Sequence, residues 1–268
     1  MLKLSDKDFI RLTSYIQEQY GINLTKKRTL IEGRLGNMLT ERGFADYTAY
    51  IDAVFADATG TELVTLVNRL TTNHTYFMRE PEHFHYLKSE ILPYLERTVT
   101  DRDIRIWSAG CSSGEEPYTL AMVIDDYFGS RKPQWDCKIL ATDISMKVLN
   151  KAQEGLYAEA SMTDISPAWK QKYFRPKGNG VFEVAPAIRN EIVFRPFNLM
   201  EPIVYKKPFD LILCRNVMIY FEAPTKLALV RRFYDATKHG GWLFIGHAES
   251  IPRDATKYQY IKPAIYRK

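Results

Sequence analysis

The stretch Ser108-Ala109-Gly110-Cys111-Ser112-Ser113-Gly114-Glu115-Glu116-Pro117 directly follows the apolar run at residues 104–107. Apolar residues at helical spacing then continue to residue 127. This order predicts a strand, a glycine-containing loop and a helix. Glycines in such a loop let the backbone come close to a ligand. The stretch therefore predicts an α/β fold with a ligand site where its first strand ends.

Two acidic residues at the start of the predicted helix restrict the ligand. Glu115 and Glu116 stand where a phosphate-binding Walker loop needs Lys and Ser or Thr. The loop also lacks a full G-x-G-x-x-G pattern, which counts against NAD. A ligand with a positive charge and no phosphate, such as S-adenosylmethionine, fits better. A tight turn with solvated acids is the structural alternative, and the loop alone does not decide between the two.

Beyond this loop, strands alternate with helices from residue 103 to the end of the chain. Predicted strands cover residues 104–107, 138–141, 191–195, 209–214, 242–246, 258–261 and 264–266. Predicted helices cover residues 115–127, 146–153 and 224–238. Alternation of this kind predicts a parallel sheet covered by helices on both faces. A small β-hairpin insertion at about residues 173–194, around Gly178-Asn179-Gly180, interrupts it.

The first 95 residues are predicted to be helical. Ser5 and Asp8 resemble a capping box before the first helix, and Gly21 ends that helix. Pro81 is at a favoured first-turn position of a later helix. We therefore expect an all-helical domain at 1–72, a linker with a connecting helix at 73–95, and a ligand-binding domain at 96–268.

Polar residues follow two further predicted strands. Asp143 ends the second strand, where its carboxylate could accept hydrogen bonds from the ribose of an adenosine or cap the next helix. Arg215 and Asn216 leave the strand at 209–214, and Tyr220 follows them. They could face a bound cofactor, or Arg215 could pair with a surface acid while Tyr220 packs in the core. No Asp/Asn-Pro-Pro-Tyr/Phe motif is present, which argues against methylation of amino groups on bases.

Composition gives the profile of a soluble globular protein, with 46% hydrophobic and 26% charged residues. No apolar run approaches the ~20 residues of a membrane span, and the N-terminus lacks the apolar core of a signal peptide. The cysteines, Cys111, Cys137 and Cys214, are too scattered for a disulfide framework or a zinc knuckle. This usage indicates a reducing cytoplasm, and we expect no metal.

The formal charge of +5 is too small to imply nucleic acid by itself, but basic residues concentrate in one segment. Two acidic residues accompany them, and the basic ones are Lys26, Lys27, Arg28, Arg34 and Arg42. An acidic partner could dock there, and a solvated helix face explains the pattern equally well.

Six segments, in order along nearly the whole chain, resemble the CheR family of chemotaxis receptor methyltransferases. They are Leu70-Thr71-Thr72-Asn73-His74-Thr75-Tyr76-Phe77-Met78-Arg79-Glu80, residues 107–118, 141–144 and 197–199, Cys214-Arg215-Asn216-Val217-Met218-Ile219-Tyr220-Phe221, and Gly246-His247-Ala248-Glu249-Ser250. The resemblance implies a Rossmann-like class I methyltransferase sheet with helices on both faces and an all-helical N-terminal domain. It also implies S-adenosylmethionine as cofactor and S-adenosylhomocysteine as product.

The resemblance also assigns roles to matching residues. Asn73, Thr75 and Arg79 would reach the cofactor from the linker, with Arg79 also near the methyl donor as a catalytic residue. Tyr220, the second catalytic residue, would lie beside the methyl-transfer point. The remaining cofactor contacts would come from residues on the segments that follow the strands, namely Ala109, Gly110, Glu116, Asp143, Asn198, Leu199, Arg215 and Asn216. The basic residues of the helical domain would face the methylation helices of the receptor.

The implied function is methylation of glutamate side chains on the cytoplasmic helical domain of chemoreceptors, for sensory adaptation. We expect a cytoplasmic monomer with no nucleic-acid partner and no membrane insertion. The hairpin loop Lys177-Gly178-Asn179-Gly180 looks shorter than in members that bind a receptor's C-terminal pentapeptide, so we expect independence from that tether. Ser145 stands where the family often has an acidic residue, which leaves any contact from that position in doubt.

Three other functions fit parts of the pattern. The same fold serves small-molecule and nucleic-acid methyltransferases, but the missing Pro-Pro motif and the absence of a strongly basic groove argue against them. A non-catalytic module that binds the cofactor or its product would also share the loop. An NAD-dependent oxidoreductase would need a loop compatible with phosphate.

Overall fold

The computed structural model describes residues 2–71 and 73–268. Met1 and Thr72 lie outside the described residues. The predicted boundary of the helical domain falls at Thr72 and therefore also lies outside them. The chain forms two compact units. The first, the helical unit, comprises Met1–Asn73 and Tyr220–Lys226. The second, the α/β unit, comprises His74–Ile219 and Leu227–Lys268.

The helical unit contains helices α1 (Asp6–Tyr20), α2 (Arg28–Glu41), α3 (Tyr47–Ala56) and α4 (Thr61–Leu70). The predicted cap of α1 is confirmed, because Asp8 N donates to Ser5 Oγ at 3.1 Å. The predicted end is confirmed too, because Gly21 adopts a left-handed φ of 71°. A core of fully buried side chains joins the helices, including Leu12, Ile31, Leu35, Tyr50 and Leu66.

A segment far along the sequence completes the helical unit. Asn23 N donates to the Tyr220 carbonyl at 2.8 Å, and Ile22 forms an antiparallel bridge with Phe221. The Asn23 side chain also donates to Glu222 Oε1 at 2.8 Å. The local hydrophobic pattern of residues 220–226 carries no sign of this long-range pairing, so the sequence did not predict it.

The α/β unit begins with α5 (Pro81–Tyr86), a π-helical turn (Leu87–Ile91) and α6 (Leu92–Thr98). The π turn was not predicted, and Pro93, which has no N–H for an α-helical ladder, lies just after it. The later helices are α7 (Glu115–Phe128), α8 (Met146–Glu154), α9 (Pro167–Tyr173), α10 (Pro186–Arg189) and α11 (Ala223–Ala236). Short 3-10 turns cover Gly129–Gln134, Glu159–Met162, Met218–Tyr220 and Arg253–Ala255.

Within residues 73–268, seven strands form a mixed sheet in the order β6-β2-β1-β7-β8-β10-β9. These strands are β1 (Ile106–Ala109), β2 (Ile139–Asp143), β6 (Ile192–Pro196), β7 (Phe209–Cys214), β8 (Thr237–Ile245), β9 (Gln259–Lys262) and β10 (Ile265–Arg267). The first five pair in parallel, and β10 pairs antiparallel with β8 and β9. The predicted parallel sheet is thus confirmed, with an antiparallel edge added at the C-terminal end.

Two predicted strands have wrong limits. The first begins at Ile106 rather than residue 104, because Ile104 N donates outside the ladder to the Asp136 carbonyl at 2.8 Å. Strand β8 begins at Thr237 rather than residue 242 and runs through Gly240 and Gly241. At Gly241, a Cβ would lie 2.9 Å from the carbonyl oxygens of Asp210 and Lys238, so the close pairing there requires glycine.

The predicted insertion is larger than a hairpin. Strands β4 (Phe174–Gly178) and β5 (Val181–Val184) form the hairpin, and β3 (Leu156–Ala158) pairs with β5. Among residues 73–268 these strands make a separate three-stranded sheet in the order β3-β5-β4. Strand β3 has only three residues, which is too short for an alternating pattern to mark it in the sequence.

An aromatic cluster in the core fixes the first strand of the large sheet. Trp107 of β1 is fully buried and contacts Phe197, Phe209 and Phe233 at ring-centroid distances of 5.3 to 5.6 Å. Its indole N–H donates to Thr142 Oγ1 of β2 at 2.9 Å. The packing and this hydrogen bond hold β1 and β2 together near the carboxyl ends of the two strands, where the polar residues lie. None of the described helices is long and apolar enough to cross a membrane.

Candidate functional site

The loop after β1 is fastened to the end of β2. The N–H groups of Gly110 and Cys111 both donate to the Thr142 carbonyl, at 2.8 and 2.9 Å. Gly110 has a φ of 87°, and a Cβ there would lie 2.4 Å from Val217 Cγ2. The position therefore requires glycine both for its backbone conformation and for space.

Asp143 lies at the end of β2 and fixes the same loop from the other side. Its carboxylate accepts from Ser112 N and from Ser145 N, each at 2.9 Å. Burial raises the pKa of Asp143, and these backbone N–H groups oppose the rise. Its carbonyl accepts from Phe197 N at 3.0 Å, which ties the segment after β6 to this strand end.

The two acids at the start of α7 have different surroundings. Glu115 is buried and accepts from Ser113 Oγ at 2.8 Å, and burial raises its pKa. Glu116 accepts from Ser108 Oγ at 2.6 Å and from Arg215 Nη1 at 2.9 Å. The structure thus brings Glu116 and Arg215, two predicted cofactor contacts from distant parts of the sequence, into one ion pair.

Arg215 continues this pair to a second carboxylate. Its Nη2 donates to Glu80 Oε2 at 3.1 Å and also to the Arg79 carbonyl. Asn216 Nδ2 donates to the other oxygen, Glu80 Oε1, at 3.2 Å. Burial alone would raise the pKa of Glu80, but Arg215, Asn216 and the His247 N–H outweigh it, so the pKa is lowered. Glu80 and Asn216 both adopt left-handed φ angles, 57° and 59°, a strained conformation that concentrates at functional sites.

The resulting chain of side chains, Glu80–Arg215–Glu116, carries two negative charges and one positive charge. Asp143 adds a third carboxylate on the neighbouring strand end. Carboxylates at the carboxyl ends of parallel strands can bind a cation and accept hydrogen bonds from hydroxyl groups. The site therefore fits a ligand with a positive charge and sugar hydroxyls, as S-adenosylmethionine has.

Other predicted contacts of the α/β unit lie on segments next to these strand ends. Thr75 and Arg79 are partly exposed in the segment before α5. Arg79 Nη1 donates to the His74 carbonyl at 2.8 Å, and its guanidinium carbon lies 5.9 Å from the Tyr76 ring centre. Asn198 Oδ1 accepts from Met200 N at 3.0 Å, which closes a turn after β6 around the buried Leu199.

Asn73 and Tyr220 belong to the helical unit, so their predicted contact with the cofactor stays a prediction. Asn73 is exposed, and Tyr220 is partly exposed.

The predicted docking residues also belong to the helical unit, and they separate into two groups. Arg34 donates to the carbonyls of Leu70 and Thr71, each at 2.8 Å, and so caps the end of α4. Arg28 pairs with Asp6 at 2.6 Å, and Arg42 makes two hydrogen bonds to Glu62, at 2.7 and 2.6 Å. The exposed Lys26 and Lys27 precede α2.

The described residues include one group of side chains that could hold a metal ion. The ligand atoms of Glu80, His83 and His247 lie within 4.8 Å of one another. His83 is buried, and neither of its ring nitrogens has a hydrogen-bond partner. However, Glu80 already accepts from the Arg215 guanidinium, which supplies the positive charge that a metal would bring.

The structure adds residues that the sequence pattern did not single out. Ser108 orients Glu116, and Glu80 joins Arg215 to Asn216. Glu249 accepts from three backbone N–H groups, those of Asn216 and Ile219 after β7 and that of Gly246 after β8. Glu80 and Glu249 lie inside segments that resemble the CheR family, and this position was the only signal in the sequence for either.

Comparison with known proteins gives matches along the whole chain. Residues 7–71 match the family described as CheR methyltransferase, all-alpha domain. Residues 73–266 match the family described as CheR methyltransferase, SAM binding domain. A chemotaxis protein methyltransferase of Borreliella burgdorferi is 41% identical over 100% of this chain and 96% of its own length. One of Escherichia coli is 37% identical over 93% of this chain and 86% of its own length.

Proposed function

Because this chain belongs to the CheR methyltransferase family, we propose that it methylates glutamate side chains on the cytoplasmic helical domain of chemoreceptors. It is an S-adenosylmethionine-dependent chemotaxis protein methyltransferase. The observation that carries the proposal is the Glu80–Arg215–Glu116 chain beside Asp143, a set of groups suited to a cationic cofactor. The proposed role is sensory adaptation.

The cofactor would be held by the strand-end residues of the α/β unit. Bound S-adenosylmethionine supplies a methyl group on a positively charged sulfur. Asp143 would accept hydrogen bonds from ribose hydroxyls, and Glu116 would face the cationic amino-acid portion. Asn198 and Leu199 would border the adenine. Arg215, Asn216, Ala109 and Gly110 would complete the pocket, with Asn73 and Thr75 as further contacts.

A glutamate side chain suits this enzyme as the acceptor. Glutamate is ionised at neutral pH, with an ordinary pKa near ~4.3, so its carboxylate needs no general base. The protein's tasks would be to align one carboxylate oxygen and to remove water from it. We assign these tasks to Arg79, which would hold the second oxygen by a charge-assisted hydrogen bond, and to Tyr220, which would orient the attacking one.

The receptor would dock on the helical unit through its exposed lysines. Lys26 and Lys27 offer exposed positive charge to an acidic helix surface, whereas Arg28, Arg34 and Arg42 bond within the unit. We propose a cytoplasmic monomer that needs no metal, no nucleic acid and no C-terminal pentapeptide on the receptor.

The chemical nature of the product tests the proposal. The protein is incubated with methyl-labelled S-adenosylmethionine and receptor-containing membranes, and the labelled receptor is then treated with mild base. We expect the label to leave as volatile methanol, as a carboxyl methyl ester requires. Base-stable label would refute the glutamate assignment. Receptors that differ only in a C-terminal pentapeptide should be labelled equally, and a strong preference for the pentapeptide would refute tether independence.

A further inference from the structure

The segment Gly246-His247-Ala248-Glu249-Ser250 after β8 has no role in the proposed reaction, yet it contains a buried carboxylate. Glu249 is 7% exposed. Its Oε2 accepts from Gly246 N at 2.6 Å and from Asn216 N at 3.0 Å, and its Oε1 accepts from Ile219 N at 3.1 Å. These donors belong to two loops, one after β7 and one after β8. A single carboxylate therefore joins both loops through their main chains.

We propose that Glu249 is a positioning residue for cofactor binding, because its carboxylate fixes the backbone that presents Arg215 and Asn216. The inference rests on the proposed cofactor-binding role of these two residues. Asn216 has a φ of 59°, in the left-handed region that few non-glycine residues adopt and that asparagine adopts more readily than most. The main-chain N–H of Asn216 donates to Glu249, and the side-chain amide of Asn216 donates to Glu80 at 3.2 Å.

Gly246 supports the same arrangement by allowing close approach. A Cβ at Gly246 would lie 2.5 Å from Asn216 Nδ2 and 2.8 Å from Asn216 N. No side chain fits there without moving Asn216. Gly246 and Glu249 thus both act on Asn216. Gly246 leaves room for it, and Glu249 accepts a hydrogen bond from its N–H.

Only an ionised carboxylate satisfies these donors. In Glu249→Gln, the amide NH₂ would face at least one backbone N–H, whichever way the amide is turned. Charge-assisted hydrogen bonds of this kind contribute more than neutral ones. The matched control is Asp254→Asn, which makes the same carboxylate-to-amide change at an exposed position a few residues later.

The test measures S-adenosylhomocysteine binding by calorimetry, and amide NMR shifts and thermal unfolding in the ligand-free protein. We expect Glu249→Gln to raise the Kd at least about tenfold and to shift the amide signals of Asn216 and Ile219 upfield. Asp254→Asn should change neither. Gly246→Ala, which leaves the carboxylate intact, should also raise the Kd. This variant tests the proposal if Glu249→Gln does not fold.

Distinct outcomes separate this inference from the proposed function. A folded Glu249→Gln protein that binds as tightly as the wild type would overturn the positioning role, even if its melting temperature fell. A Gly246→Ala protein with wild-type affinity would overturn it as well. Failure of the wild-type protein to bind S-adenosylhomocysteine would instead refute the proposed cofactor site.

Discussion

Arg215 donates to Glu116 at 2.9 Å from a position where only 2% of the arginine side chain is exposed. The two residues are almost a hundred positions apart in the sequence, and each follows a different strand of the sheet. A buried guanidinium needs acceptors for its donors, and Arg215 Nη1 and Nη2 find them on Glu116, Glu80 and the Arg79 carbonyl, while its Nε is buried without a partner. The ion pair therefore connects α7 to the segment before α5 as well as contributing charge to the site.

Arg215→Ala should destabilise the α/β unit and weaken cofactor binding together. Removing one partner of a buried ion pair leaves the others unpaired, which costs about 3 kcal/mol. Urea unfolding and S-adenosylhomocysteine titration measure the two effects. Arg131→Ala is the control, because Arg131 pairs with Glu96 with half of its side chain exposed. Such surface pairs contribute at most about 1 kcal/mol. Equal losses in the two variants would contradict the assigned role of Arg215.

Gly110→Ala should lower the free energy of unfolding through two separable effects. The left-handed backbone costs about 1 kcal/mol with a Cβ, and contact with Val217 Cγ2 adds to it. The double variant with Val217→Ala should recover only the contact part. Gly33→Ala is the control, because a Cβ there meets nothing within 4 Å and the residue lies inside α2. Alanine in that helix should be neutral or slightly stabilising. A Gly110→Ala protein as stable as the wild type would contradict this account.

His83 should make the protein less stable as the pH falls below about 6. Burial, together with the positive charge of Arg215 and the effects of His247 and Lys262, lowers the pKa of His83 from 6.5 to about 3, while Glu80 opposes the shift. Since the unfolded chain binds the proton between those two pH values and the folded chain does not, stability rises with pH in that window.

His83→Phe should remove this part of the pH dependence, up to about 1.4 kcal/mol per pH unit between pH 6 and 4. The ring stack on Phe244 would be kept, since phenylalanine has a similar shape. Urea unfolding across this pH range measures the slope. His85→Phe, at an exposed position of the same helix, should retain the wild-type slope. A wild-type slope in His83→Phe would assign the pH dependence to other groups.

The sequence predicted the parts of the fold that depend on local patterns. The Ser5 cap, the Gly21 stop and the strand Phe209–Cys214 follow from side-chain chemistry or from apolar runs within a few residues. It missed the pairing of Ile22 with Phe221 and the three-residue strand β3, because both depend on partners far along the chain. Local periodicity contains no information about such partners.

The site shows the same division. Asp143 was predicted at the end of a strand, and Glu116 at the start of the helix that follows the glycine-containing loop. The structure puts each carboxylate in its predicted place. Glu80 and Glu249 were not predicted from their residue types, because their partners are a guanidinium and backbone N–H groups on other loops. A long-range partner also changes the interpretation of Arg34 in the basic segment. The sequence suggested a docking residue, but Arg34 caps the end of α4.

The separation of the basic residues leads to a prediction about receptor docking. Changing both Lys26 and Lys27 to Glu should raise the KM for receptor membranes several-fold, and the effect should shrink at high salt, because exposed charges are screened. The melting temperature should not change. Lys3→Glu with Lys7→Glu makes the same change in charge at other exposed positions of the helical unit and should leave the KM unaltered. If both double variants raise the KM equally, only net charge matters.

Arg79 and Tyr220 should affect methyl transfer more than cofactor affinity. Neither side chain is needed for the proposed contacts of Asp143 and Glu116, so binding should largely survive their loss. Arg79→Ala removes the proposed partner of the second carboxylate oxygen, and Tyr220→Phe removes one hydroxyl. We expect each to lower kcat about a hundredfold, by analogy with the loss of a single positioned donor, while the Kd for S-adenosylhomocysteine changes less than about threefold.

Two comparisons make this prediction decisive. Arg79→Lys keeps the charge and a donor, so it should recover part of the kcat if Arg79 holds the second carboxylate oxygen by a charge-assisted hydrogen bond. Tyr76→Phe removes a hydroxyl from the ring that the Arg79 guanidinium faces at 5.9 Å, and it should retain the wild-type kcat. If Arg79→Ala and Tyr220→Phe instead lose affinity and kcat in equal proportion, both residues serve to bind the cofactor. The acceptor carboxylate would then have to be oriented by other groups.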